Sequence, residues 1–263
     1  MPLVSGLNNQ RVLVTAASSG IGYGAAEAFL KEGARVVINS SNQEKLDGAV
    51  ARLSPLGEVY GVQGNLAAKA DLEKVVSFAI SKLGGIDTLV YVTGSPKPGR
   101  FLELSYEDWR NASDLLVVSP AYLGKLVADH MIKEKIRGRM VFLSSYVIKE
   151  PSLGIALSSV CRVAVLSLVR TLARELGPKE IRVNGIMPGF IQTGRIDQLA
   201  QDAARRRSIK PEDWVKEIEG EIPLGRIGTT EELARAIVFL GSEMSSYISG
   251  TTIPVDGAIL RSI

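Results

Sequence analysis

Few residues in this chain can do chemistry, and their types narrow what that chemistry is. One cysteine, Cys161, allows no internal disulfide, and with one histidine, His130, no His/Cys set exists to hold zinc. A metal centre is therefore not expected, and catalysis must rest on hydroxyls, amides, carboxylates, Lys/Arg or an organic cofactor. Three stretches stand out. Thr15-Ala-Ala-Ser-Ser-Gly-Ile-Gly22 gathers two glycines and a row of hydroxyls. Ser144-Ser145 closes an apolar run. Arg162 is the only charged residue between Pro151 and Val169. A guanidinium in so apolar a stretch is either aimed at a ribose or an anionic substrate, or is a helix-surface charge facing another subunit.

A glycine turn binds phosphate only when it follows a strand and opens a helix. Short β-branched runs at 11–15, 34–39, 58–62 and 88–92 alternate with helical patterns near 20–32, 43–53 and 69–83. The alternation continues: a long helix at about 106–134 with a break or bend near Pro120, a strand at 140–143, a helix at 154–176, a strand at 181–186, a polar stretch at 194–222, a helix at 230–241 and a last strand near 251–255. The strands are short and apolar on both faces, as in a parallel sheet covered by helices on each side. The expectation is one domain over residues 1–263, an α/β Rossmann-type doubly wound parallel sheet of about seven strands. In that setting Gly20 and Gly22 let the backbone approach a pyrophosphate, the helix start offers free N–H groups, and Ser18 and Ser19 add donors.

Composition excludes other classes. Hydrophobic residues at 46% and charged residues at 22% belong to a globular protein, not to a disordered chain or a coiled coil. The net charge of +3 is spread out, and the one dense cluster, Arg205-Arg206-Arg207, sits near Asp202, Glu212 and Asp213. That is too little for a nucleic-acid surface. No unbroken apolar run reaches the ~18 residues of a membrane span, and residues 1–10 lack a leader pattern, so a soluble cytoplasmic protein is expected.

The chain resembles the short-chain dehydrogenase/reductase family over nearly its whole length. The family's Thr-Gly-x-x-x-Gly-x-Gly stands as Thr15, Ala16, Gly20 and Gly22, with alanine for the first glycine. Ile181-Arg-Val-Asn-Gly-Ile-Met-Pro-Gly189 followed by Thr193 matches a second motif closely, and Ile222-Pro-Leu-Gly, Ser249-Gly250 and Val255-Asp256-Gly257 fit the tail. The resemblance is greatest to the branch of ketoacyl-carrier-protein reductases and sugar dehydrogenases. It implies an NAD(P)-dependent oxidoreductase that moves hydride between nicotinamide and a small-molecule carbonyl or alcohol. It also implies that Thr15, Ala16, Ser18, Ser19, Gly20, Ile21 and Gly22 line the cofactor. Pro188, Gly189, Ile191 and Thr193 would hold the carboxamide, Gly94 would lie along the cofactor, and Asn65 and Leu66 would meet the adenine. The second strand ends in Asn39-Ser40-Ser41-Asn42, with no carboxylate to repel a 2′-phosphate and no base to attract one. Ser40 and Ser41 can donate to a phosphate, which favours NADP over NAD while admitting both.

The same resemblance places the catalytic residues, and three of four have changed. Ser145 holds the position of the substrate-orienting serine. Ser158 stands where the tyrosine proton donor belongs, Arg162 where the lysine belongs, and Leu116, seven residues after Trp109, where the asparagine belongs. Serine is a far weaker acid than a phenol, so the tyrosine mechanism is not available, although hydride chemistry belongs to the cofactor. Tyr146, Lys149 and Tyr91 are replacement acids by position or else rim residues. Two rival readings follow: a cofactor-binding sensor or partner subunit without turnover, and an altered reaction such as reduction of a C=C bond. Family members are usually tetramers built through the two long helices, so a homo-oligomer, tetramer or dimer, is expected. Residues 194–222 correspond to the family's substrate lid, and the charges of that segment, Arg195, Arg205–Arg207 and Lys210, either point to an anionic substrate such as a carboxylate or a thioester carrier or form a solvated helix face.

Overall fold

The seven predicted strands all form, each bounded by the turn residues that flank it. They are β1 (Arg11–Val14), β2 (Arg35–Ser40), β3 (Val59–Gln63), β4 (Thr88–Tyr91), β5 (Arg139–Leu143), β6 (Arg182–Pro188) and β7 (Thr252–Val255). In the computed structural model, which describes residues 5–262, they make one parallel sheet in the order β3-β2-β1-β4-β5-β6-β7. The first four residues, part of the stretch read against a leader, lie outside the described range. The order reverses between β1 and β4, and such a switch point opens a crevice at the carboxyl ends of the strands. Both the glycine turn after β1 and Gly94 after β4 lie there.

Strand alternation divides the core into two faces. Val12 and Val14 of β1, Val90 of β4 and Val141 and Leu143 of β5 pack with α1 (Gly20–Lys31), α2 (Gln43–Leu53) and α10 (Thr230–Leu240). Leu13, Leu89, Tyr91, Met140 and Phe142 point the other way, toward α3 (Lys69–Leu83), α5 (Ser119–Lys133) and α7 (Val163–Leu176). The doubly wound arrangement is therefore the expected one. The stretches 106–133 and 156–179 are long and apolar enough by length and composition to cross a membrane, although neither contains an unbroken apolar run of ~18 residues. Both instead place residues on the sheet, Leu123 and Val127 from one and Val165 and Val169 from the other.

Two irregularities shape the site. The first long helix consists of α4 (Tyr106–Ser113), a π-turn over Asp114–Val118, and α5. Ser119 N–H bonds the Asp114 carbonyl, five residues back, so the next donor in that register would belong to Pro120, which has none. The Tyr91 phenol supplies the missing bond: it donates to the Leu115 carbonyl at 3.2 Å and shares a second hydrogen bond with the Ser119 hydroxyl at 2.8 Å. Tyr91 is thus a buried structural residue, and burial holds its phenol well above the usual range. A Tyr91→Phe variant should be destabilised by about 1–3 kcal/mol, because the half-buried Leu115 carbonyl and the buried Ser119 hydroxyl both lose their partner. Urea unfolding would read this, and a loss below about 0.5 kcal/mol would show that water replaces the phenol. The second irregularity splits the helix expected at 154–176 into α6 (Ala156–Cys161) and α7, joined at Arg162. The Arg162 carbonyl accepts from Val165 N–H at 3.1 Å and from the Ser144 hydroxyl at 3.2 Å. The hydroxyl at the end of β5 fixes the joint on which Arg162 is carried.

Candidate active site

The turn after β1 is held by bonds to its neighbours before any ligand is considered. Thr15 is fully buried, and its hydroxyl donates to the Val92 carbonyl and accepts from the Val92 N–H. Its role is to join the ends of β1 and β4, and its one O–H is spent on that bond. Ala16 adopts φ +46°, a left-handed conformation that glycine takes without strain and alanine does not. Asn39, which the sequence presents only as part of the end of the second strand, supports this turn. Its amide oxygen accepts from Ala16 N–H at 3.4 Å, and its nitrogen donates to the Val62 and Gly64 carbonyls.

The start of α1 has the features of a phosphate cradle. Ser19 is the N-cap but makes no side-chain cap bond, and no acidic residue occupies the first turn. The first N–H groups are therefore unanswered by side chains, and the helix dipole adds positive potential. Gly20 sits at φ +58°, and a Cβ on Gly22 would lie 2.5 Å from the Ala16 carbonyl oxygen. A Cβ on Gly94 would meet nothing within 4 Å, so the backbone there borders open space. The Ser18 and Ser40 hydroxyls meet at 2.9 Å, and Ser40 also accepts from Asn42 N–H, so the glycine turn and the end of β2 form one polar corner. Ser41 beside it is exposed. Asn65 uses its amide oxygen locally, accepting from Ala67 N–H at 3.0 Å, which leaves its NH2 group and a second lone pair for a ligand. Leu66 is buried beside it. These groups fit a dinucleotide.

The catalytic positions converge on one cleft at the switch point. Its volume is about 180 Å³, and Ser145, Ser158, Arg162, Ile21, Pro188, Gly189, Ile191 and Thr193 all line it. Thr193 donates to the Ile191 carbonyl and lies against Gly20, so the β6 loop closes over the glycine turn. Gly189 is required by Asp256, whose Cα would stand 2.7 Å from a Cβ there. Arg162 is only 8% exposed. Its Nε donates to the Ser158 hydroxyl at 3.2 Å, and a terminal nitrogen donates to the Gly94 carbonyl at 3.4 Å. Desolvation pushes its pKa down to about 10, still cationic at neutral pH.

The other candidates separate. Leu116 is buried in an apolar cluster with Leu157 and Cys161, so the asparagine position has become packing. Tyr146 reaches the cleft wall, with its ring against Phe190 at 5.3 Å, and burial raises its phenol to about 12. Lys149 is exposed and does not line the cleft. The polar stretch expected at 194–222 is two helices, α8 (Gly194–Arg207) and α9 (Pro211–Glu221), anchored by Ile196, Ile218 and Ile222. Through α8, Arg195, Ile196 and Leu199 enter the cleft. The sequence pattern presented Arg195 as one of several charges on a polar segment, with no sign of where it points.

Comparisons with known proteins agree with this architecture. Residues 15–258 match the family described as Enoyl-(Acyl carrier protein) reductase. The chain is 38% identical over 252 residues to the dehydrogenase/reductase SDR family member 4 of Caenorhabditis elegans, covering 94% of each chain. It is 32% identical over 254 residues to the 3-oxoacyl-acyl-carrier-protein reductase of Chlamydia pneumoniae, covering 96% of this chain and 98% of the relative. Its fold is similar to that of an L-sorbose reductase from Gluconobacter frateurii solved with NADPH and L-sorbose. The TM-score there is 0.93 at 28% identity, over 99% of this chain and 100% of that one.

Proposed function

Because this chain belongs to the short-chain dehydrogenase/reductase family and is an NAD(P)-dependent oxidoreductase, we propose that it reduces a small carbonyl compound with NADPH, using Ser145, Ser158 and Arg162 in place of the usual tetrad. The observation that carries this reading is the convergence of these three polar side chains in one cleft beside Gly94 and Thr193. The glycine turn, Ser18, Ser40, Ser41, Gly94 and the Pro188–Thr193 loop would hold the dinucleotide. When bound, it supplies the hydride.

The chain's own residues do the rest. Ser145 orients the carbonyl oxygen. The Ser158 oxygen accepts the Arg162 Nε–H, which leaves its O–H free to donate to that same oxygen. Arg162 stabilises the negative charge that develops there, and its burial makes this charge more effective than it would be in water. The proton that neutralises the product comes through the Ser158 hydroxyl from solvent. Residues 194–222 act as the lid, with Trp214 of α9 against Phe190 and α8 over the cleft. The exposed apolar residues Val118, Val160 and Val163, on the two long helical stretches, suit packing between copies of the chain in a homo-oligomer.

Oxidation of NADPH, followed at 340 nm against a panel of aldehydes and ketones, tests the reading. Turnover that falls about 10–10²-fold in Ser145→Ala supports it. Tight NADPH binding with no turnover on any carbonyl would favour the sensor reading instead, which the three changed catalytic positions support. Cofactor choice has its own test. Ser41→Asp puts a carboxylate beside the 2′-position on an exposed residue. It should weaken NADPH about tenfold while sparing NADH, as read by parallel calorimetric titrations. Equal loss for both nucleotides would place the 2′-phosphate elsewhere.

A further inference from the structure

Among the described residues the cleft is lined by two guanidinium groups and no carboxylate. Arg162 lies beside Ser158, and Arg195 enters from the first turn of α8. Among the described residues neither has an ion-pair partner. Arg162 bonds only the Ser158 hydroxyl and the Gly94 carbonyl, and Arg195 bonds the Gln198 amide at 3.4 Å. Arginines elsewhere that leave solvent are answered by acids: Arg11 by Asp87, and Arg139 and Arg182 by Glu243. The carboxylate that acts on Arg195, Asp202, is itself engaged by Arg205.

This arrangement is costly without a ligand. Arg162 is a buried charge and Arg195 a half-buried one, neither with an ion partner, and a cation in the first turn of a helix opposes the dipole. Desolvation holds both guanidiniums below their usual range, and Arg195 adds to the effect on Arg162. Phe190, Ile196 and Leu199 make the surrounding wall apolar, so an anion seated here would carry an apolar body.

We propose that the substrate is an oxo acid whose carboxylate is bound by Arg195, while Ser145, Ser158 and Arg162 receive its carbonyl oxygen. Arg195 is then the specificity-determining residue. The inference rests on the reductase reading above and narrows it. The other anion within reach of such a residue is the diphosphate of the cofactor, so the test must separate the two.

The probes are 2-oxooctanoate and 3-oxooctanoate with their methyl esters, offered with NADPH. The parent should prefer the better acid over its ester by about 10²-fold in kcat/KM. In Arg195→Met that ratio should fall to near one, mainly through KM for the acid. NADPH should titrate as in the parent, and Arg195→Lys should recover part of the preference. The proposal is overturned if acid and ester fall together, or if NADPH affinity drops while the acid-to-ester ratio stays. Failure of the reductase reading looks different. With no turnover on any carbonyl, octanoate binding to the NADPH-loaded protein, followed by calorimetric titration, still decides. Binding that is lost in Arg195→Met keeps the anion site, and no binding to the parent removes it.

Discussion

A Gly22→Ala chain should lose at least about 100-fold in NADPH affinity, the larger part of what a helix-end phosphate site can offer. The new methyl carbon would stand 2.5 Å from the Ala16 carbonyl oxygen and 2.8 Å from the Ala17 Cα. Both are backbone atoms and cannot swing aside, so either the turn or the start of α1 must move. The turn has little slack, since Ala16 is already at φ +46° and is tied to Asn39. Overpacking of this kind costs about 1–3 kcal/mol, so the melting temperature should drop as well. Gly94→Ala separates ligand contact from folding. Its Cβ meets no protein atom within 4 Å, and its backbone is outside the left-handed region. Stability should stay within about 0.5 kcal/mol of the parent. A tenfold or greater loss of NADPH affinity in this variant would then come from the bound cofactor alone. Calorimetric titration alongside thermal melts reads both variants. If Gly22→Ala binds NADPH like the parent, the glycine turn is not the cradle.

The sheet was legible because its strands are buried on both faces and broken by glycines, so that short apolar runs marked all seven within one or two residues. The helices at 43–53 and 69–83 matched to the residue: each has a clear apolar stripe, the second stops at the left-handed Gly84, and the first tightens into a short 3-10 turn at Ser54–Leu56 where Pro55 stands. What could not be read depends on contacts far apart in the chain. Pro120 signalled a break, but the π-turn at Asp114–Val118 exists because Tyr91, on another element, answers the carbonyl that proline cannot. The joint at Arg162 likewise needs the Ser144 hydroxyl from the end of β5. In the site, Ile21, Ser145, Ser158, Arg162, Pro188, Gly189, Ile191 and Thr193 line the cleft and Leu116 is packing, whereas the support that Asn39 gives the glycine turn and the entry of Arg195 into the cleft come from the geometry and not from any motif.

Restoring both the phenol and the ammonium, Ser158→Tyr with Arg162→Lys, should raise the rate of ketone reduction by about 10²-fold. The reason lies in what the present pair lacks. A serine hydroxyl is a poor proton donor, and Tyr146, the one phenol on the cleft wall among the described residues, is held at about 12 by burial, too weak an acid to serve at neutral pH. Residues 158 and 162 lie one helical turn apart and already touch through Nε and Oγ at 3.2 Å, so a tyrosine and lysine there would share the same face. The neighbouring cation would lower the phenol's pKa, and reduction needs that phenol protonated. The double variant should therefore gain an alkaline limb, with kcat falling as pH rises through a value below 10, and the parent should show no such limb. Leu116 would remain in place of the asparagine, packed against Leu157 and Cys161, which keeps the gain near the lower end of what a general acid supplies. Ser158→Tyr alone, with Arg162 kept, distinguishes proton donation from the change of cation. A double variant slower than the parent would mean that proton transfer does not limit this cleft, and that the Ser158–Arg162 pair is itself the arrangement its reaction requires.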